Sequence, residues 1–262
     1  MKKVIGLYPC PDVDTAGTQV VSHAGTVLLT ETIIRVGLDR ALSSALTRWR
    51  PRLAVHDPAK VLLDLALGLA VGGDCLADVA VLRAEPTVFG LVASDPTVSR
   101  TIDRLALDAT AVLAAIDTAR ATARARAWEL AGDHAPDHQT DAGQPLVIDV
   151  DATLVTAHSD KEGAAPTFKR GYGHHPLWAF VDHGPAGTGE PLAALLRPGN
   201  AGSNTAADHL TVIRAALRQL PSHRTGHRAG RKVLVRVDGA GATTNCWTGC
   251  TPSACPTRSG SA

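Results

Sequence analysis

The segment PLVIDVDATLV, residues 145–155, reads as a β-strand, because its apolar residues are mostly branched at Cβ, the type that strands favour. Two carboxylates, Asp149 and Asp151, stand in its middle. Side chains two apart on a strand project from one face. The segment therefore sets two like charges side by side on a strand expected to be buried. Such a pair costs stability unless something compensates it.

Further strands follow. HPLWAFVDH (175–183) reads as the second and EPLAALLRP (190–198) as the third. SNTAADHLTVIRAALRQL (203–220) has the spacing of an amphipathic helix, with Ser203 or Asn204 as its cap. RKVLVRVDGAG (231–241) is a fourth strand ending in a glycine turn. The order β-β-β-α-β, with hairpin connections and one helical crossover, implies a mixed sheet. The crossover returns the fourth strand parallel to the first. If those two strands are neighbours, Asp151 and Asp238 can lie together and share a hard divalent cation such as Mg2+, with Asp149 as a further candidate ligand. Paired metals activate water and stabilise the leaving oxygen in phosphodiester chemistry. Plainer readings stand beside this one: an aspartate before glycine is commonly a turn residue, and an exposed edge strand tolerates acids in its middle.

Residues 28–130 carry helical periodicity instead. TVLLTETIIRVGLDRALSSALTRW offers Thr30 as a helix cap, and DPAKVLLDLALGLAVGG opens on an Asp-Pro cap and closes on paired glycines. SDPTVSRTIDRLAL (94–107) places Arg100 and Arg104 one turn apart on one helix face, and a long alanine-rich helix beyond it carries Arg120, Arg124 and Arg126. Residues 132–144 are polar and rich in turn formers, as a linker or long loop would be. Over all 262 residues, 45% are hydrophobic and 19% charged, and the formal net charge is +1. A nucleic-acid partner therefore requires a local basic patch rather than a global field. The most apolar run, 61–73, is short and contains Asp64, which suits a buried helix and not a membrane span. No signal peptide is visible, so a cytoplasmic protein without membrane association is expected.

The three blocks IDVDATLVTAHSDKEGAAPTFKRGYGHHPLWAFVDH, GEPLAALLRPGNAGSNTAADHL and KVLVRVDGAGAT together resemble a bacterial insertion-sequence DDE transposase, of the insertion-sequence-1380-like group. The resemblance runs over about residues 1–243 and is strongest from 145. It implies an α/β protein in which a helical, DNA-binding domain (1–135) precedes a partial ribonuclease H-like catalytic domain (145–243). It also implies DNA strand cleavage and strand transfer at insertion-sequence ends with Mg2+ or Mn2+. The partners would be double-stranded DNA of the ends and of the target, and a homodimer is left open. The first family aspartate falls on Asp151 in DVDAT, preferred to Asp149, and the second on Asp238 in VRVDGAG. The family's third acid, a downstream glutamate, has no counterpart, since no Asp or Glu follows Asp238.

Residues 244–262 lose all periodicity and fill with Cys, Thr, Ser and Pro. They read as a non-native or disordered tail, as a frameshift near residue 244 would produce, and with the downstream glutamate missing this copy is expected to be inactive. Cys246, Cys250 and Cys255 have no zinc-site spacing. In TFKRGYGHHPLWAF, Lys169 and Arg170 suit phosphate contacts or, equally, a solvated basic turn. His174 and His175 suit local hydrogen bonds better than metal. The alternatives to an active transposase are a catalytically dead DNA-binding fragment and another ribonuclease H-like nuclease.

Overall fold

The computed structural model describes residues 6–11, 23–184, 187–202, 205–222 and 230–237. The chain divides into two compact units, Met1–Ala127 and Trp128–Ala262. The division falls inside a long helix, ahead of the polar segment 132–144.

The first unit is helical: α1 Val27–Val36, α2 Leu38–Leu46, α3 Pro58–Ala70, α4 Ala80–Arg83, α5 Pro86–Phe89, α6 Asp95–Ala106 and most of α7 Ala109–Ala131. The periodic stretch around residue 37 is broken because Gly37 takes a left-handed conformation (φ 72°) that closes α1 and opens α2. Thr30 is not a cap. It lies inside α1, and its hydroxyl donates to the Val27 carbonyl at 3.0 Å. The Asp-Pro start of α3 is as the sequence requires: the Asp57 carboxylate accepts from the Ala59 amide at 2.8 Å, with Pro58 in the first turn. Tyr8, Leu46, Leu63, Leu82 and Phe89 are among the residues of the core.

Asp64, the acid in the most apolar run, is buried in this core with a partner one turn away. The Lys60 ammonium meets its two oxygens at 2.5 and 2.6 Å, and the Tyr8 hydroxyl donates to it at 3.0 Å. Lys60 also sits 4.4 Å from the centre of the Tyr8 ring. Burial outweighs the mutual attraction of the pair: it raises the Asp64 carboxyl above its ordinary range and lowers the Lys60 ammonium.

The second unit contains β1 Leu146–Ala152, β2 Val155–Thr156, β3 Ala165–Pro166, β4 Tyr172–His174, β5 Leu177–Val181, β6 Glu190–Leu195, α8 Ala206–Arg218 and β7 Val233–Val237. Four strands form a mixed sheet in the order β6-β5-β1-β7. β5 runs antiparallel to both β1 and β6, and β7 runs parallel to β1 with Leu146 opposite Val233 and Val150 opposite Val237. The α8 crossover makes that parallel return. Its cap position is Thr205, and Ser203 and Asn204 lie outside the described residues.

Burial alternates along β1. Leu146, Ile148 and Val150 are buried, as are Leu177, Ala179 and Val181 on β5 and Val233 and Val235 on β7. This set meets the apolar stripe of α8, including Val212, Ile213 and Ala216, which packs on β6, β5 and β1. Val147, Asp149 and Asp151 project from the other face.

A second, smaller sheet, ordered β2-β4-β3, fills the connection between β1 and β5. Gly173 in β4 has φ 155°, and a Cβ there would strike the Val155 carbonyl of the neighbouring strand. Only glycine lets the two backbones approach so closely.

Candidate active site

The two acids of β1 meet different fates. Asp149 stands opposite Arg236 of β7 in the parallel ladder. The guanidinium grips it with both forks: Arg236 Nε donates to Asp149 Oδ1 at 2.6 Å and Nη2 to Oδ2 at 2.6 Å. The same Nη2 donates to Asp182, just beyond β5, at 2.8 Å. These contacts, the Asp149 hydrogen bond above all, raise the Arg236 pKa further and keep the group charged. A cation therefore does compensate Asp149, and it is an arginine.

Asp151 is different. It is exposed near the end of β1, and among the described residues its Oδ1 accepts only from the adjacent Ala152 amide at 2.7 Å. Among the described residues no cationic side chain pairs with it. Asp238 lies outside the described residues. Its predecessor Val237 is the last residue of β7 and stands opposite Val150, the residue before Asp151. Asp151 thus offers hard, solvent-facing oxygens of the kind Mg2+ or Mn2+ takes, whereas both Asp149 oxygens are already occupied.

Lys169 and Arg170 are exposed at the tip of the β3–β4 hairpin. A cleft of about 250 Å3 joins Lys169 and Phe168 to Ala152, Thr153, Leu154 and His175, so the hairpin borders the chain that leaves Asp151. Arg197, only 4% exposed, fixes that geometry: Nε donates to the His175 carbonyl at 2.9 Å and Nη1 to the Gly202 carbonyl at 3.1 Å. Both histidines serve local bonds, as expected, His174 Nε2 with the Glu162 carbonyl (3.0 Å) and His175 Nδ1 with the Ala201 carbonyl (3.2 Å).

In the helical unit, Arg100 and Arg104 line one cleft of about 360 Å3 with Pro51, His56, Thr97 and Thr101. Neither forms an ion pair among the described residues. Arg120 is bonded to Asp117 at 3.1 Å, and Arg124 is buried, so the exposed cations left on α6 are the better candidates for a polyanion. Asp74, Cys75 and Asp78 also cluster. There the Asp78 carboxylate accepts from the backbone amides of Asp74 and Cys75, each at 2.9 Å, as a turn cap does. Cys246, Cys250 and Cys255 lie outside the described residues, and Cys10 and Cys75 are free thiols.

Arg236, Asp182 and Arg197 were not singled out from sequence. One signal for Arg236 was present. Arg236 and Asp149 each precede a candidate metal acid by two residues, so parallel pairing of their strands makes them opposite charges in register.

In the second unit, the inner strand β1 and the edge strand β7 run parallel in a mixed sheet; β1 carries Asp151 near its end, and Asp238 follows β7 in the sequence. The chain matches the family described as Transposase DDE domain group 1 over residues 10–256, and it belongs to that family. No curated protein and no solved structure matches it. Transposases of this family act on DNA and typically use divalent metal ions. Among the described residues, no helix is long and apolar enough to cross a membrane.

Proposed function

We propose that the chain is a cytoplasmic insertion-sequence transposase of the insertion-sequence-1380-like group, with a ribonuclease H-like sheet whose Asp151 and Asp238 hold Mg2+ or Mn2+. The observation that supports this reading is the parallel ladder of β1 and β7, in which Val150, the residue before Asp151, stands opposite Val237, the last residue of β7 and the residue before Asp238 in the sequence. Asp149 is set aside as a ligand because Arg236 holds both its oxygens. When bound, the cation supplies activation of water and stabilisation of the leaving oxygen at a DNA phosphodiester. Asp151 and Asp238 would position it. Lys169 and Arg170 would hold the phosphate backbone beside it, and Arg100 and Arg104 would bind duplex DNA from the helical unit.

No Asp or Glu follows Asp238 in the 262 residues, so these residues offer two carboxylates where a two-metal clamp needs more. The 262-residue chain is therefore expected to bind DNA and cation without cutting. The test is binding and cleavage of duplexes that carry the insertion-sequence ends. Affinity should fall steeply with salt, and Arg104→Ala should reduce the salt slope by about 1 if it meets one phosphate. Failure to bind duplex DNA at low salt would remove the DNA role. Metal-dependent cutting that vanishes in Asp238→Ala would overturn the inactivity.

A further inference from the structure

We propose that Phe168 is a stacking platform for an unpaired nucleobase of the DNA strand bound beside Asp151, an inference that rests on the DNA reading above. Phe168 is exposed to the full (101%), the most exposed of the large apolar side chains described, while Trp178 and Phe180 are partly buried and stacked on each other, Tyr172 is partly buried and Trp128 is buried. An apolar ring left wholly in water at a loop tip does nothing for the fold.

The loop that carries it is pinned. The Thr167 amide donates to the Gly171 carbonyl at 2.8 Å, the Arg170 amide to the Thr167 carbonyl at 3.0 Å, and the Gly171 amide to Thr167 Oγ1 at 3.0 Å. This is a three-residue hairpin loop that closes on a left-handed residue. That residue is Arg170, with φ 61°, where glycine or asparagine would sit without strain. The turn therefore keeps a cation in a conformation that a side chain disfavours, as functional loops do. Lys169 lies between Phe168 and Arg170 in the loop. Both cations are exposed, and neither has an ion-pair partner among the described residues.

A ring followed directly by two exposed cations matches a ligand with a flat π-face and phosphates beside it. A nucleotide within a strand has that form, and base–aromatic stacking tolerates any base. An apolar protein partner would leave both cations uncompensated. The base must be unpaired, because bases inside a duplex already stack on their neighbours. The position agrees: Phe168 and Lys169 line the same cleft as Ala152, Thr153 and Leu154, the residues next after Asp151, where a strand end would be opened.

The test uses the full chain and two DNA probes, a blunt duplex and the same duplex with a short overhang containing 2-aminopurine. Wild type should bind the overhang more tightly and quench the 2-aminopurine emission on binding. Phe168→Ala should weaken overhang binding by roughly 5-fold or more and lose the quenching, with blunt-duplex affinity unchanged. Phe168→Trp should retain both. Because Phe168 is fully exposed, an unchanged melting curve is expected for either variant. Phe168→Ala that binds and quenches like wild type would overturn the stacking role alone, as would an effect of the substitution on self-association and not on overhang binding. Absence of all DNA binding by the wild-type chain would instead overturn the DNA reading beneath it.

Discussion

Replacing Arg236 by methionine tests what keeps Asp149 tolerable in the middle of β1. Methionine keeps most of the apolar stem and removes only the guanidinium, so packing changes little. Three short charge-assisted bonds are lost, two to Asp149 and one to Asp182. The partners are 49%, 39% and 32% exposed at their side chains, so solvent screens them. Exposed ion pairs are worth about 0.2–1 kcal/mol each. Two such pairs, one of them bidentate, together with the repulsion left between Asp149 and Asp182, give a loss of roughly 1–2 kcal/mol. That corresponds to a fall of about 3–8 °C in melting temperature for a domain of this size. Circular-dichroism melts in chelator at low and high salt read it directly, with the deficit shrinking at high salt as wild type loses its own pairs. Added Mn2+ should recover part of the loss in the variant, because Asp149 and Asp182 become free to take a cation. An Arg236→Met protein that melts like wild type at low salt would refute the reasoning, for then the triad does not compensate the acids.

Lys60→Met should destabilise the helical unit by about 3–5 kcal/mol, since it strands a buried carboxylate, whereas Lys60→Met with Asp64→Leu should recover most of that in urea unfolding. A double variant no more stable than the single would contradict the ion-pair account. The Asp78 carboxyl is held below its ordinary value of 3.8, first by the Asp74 amide and then by that of Cys75. Its contribution is therefore present above pH 3.8 and lost as pH falls through the lowered folded value. Asp78→Asn should remove that part of the acid dependence, and an acid titration with an unchanged midpoint and slope would show otherwise.

The main sheet was legible because each of its long strands carries its own pattern, and the hairpin and crossover connections leave few orders to choose from. The match between Val150 and Val237 follows from that order. β2, β3 and β4 were not legible, since strands of two or three residues have no period to read. Their signs are single residues: Gly173, which admits the neighbouring backbone, and Arg197, buried and bonded to the His175 carbonyl just beyond β4. Thr30 misled because Ser and Thr serve equally inside helices when the hydroxyl bonds back to a carbonyl, as it does to Val27 here. In the sequence only the resemblance in DVDAT favours Asp151 over Asp149. The physical difference between them comes from the ladder, which sets Arg236 against Asp149.

The most direct measurement is a Mn2+ titration, followed by electron paramagnetic resonance, of the chain and of Asp149→Asn, Asp151→Asn and Asp238→Asn, in the absence of DNA. The account predicts a bound-Mn2+ signal that survives Asp149→Asn and is lost in both Asp151→Asn and Asp238→Asn. Loss of the signal in Asp149→Asn with retention in Asp151→Asn, or binding indifferent to Asp238, would contradict it.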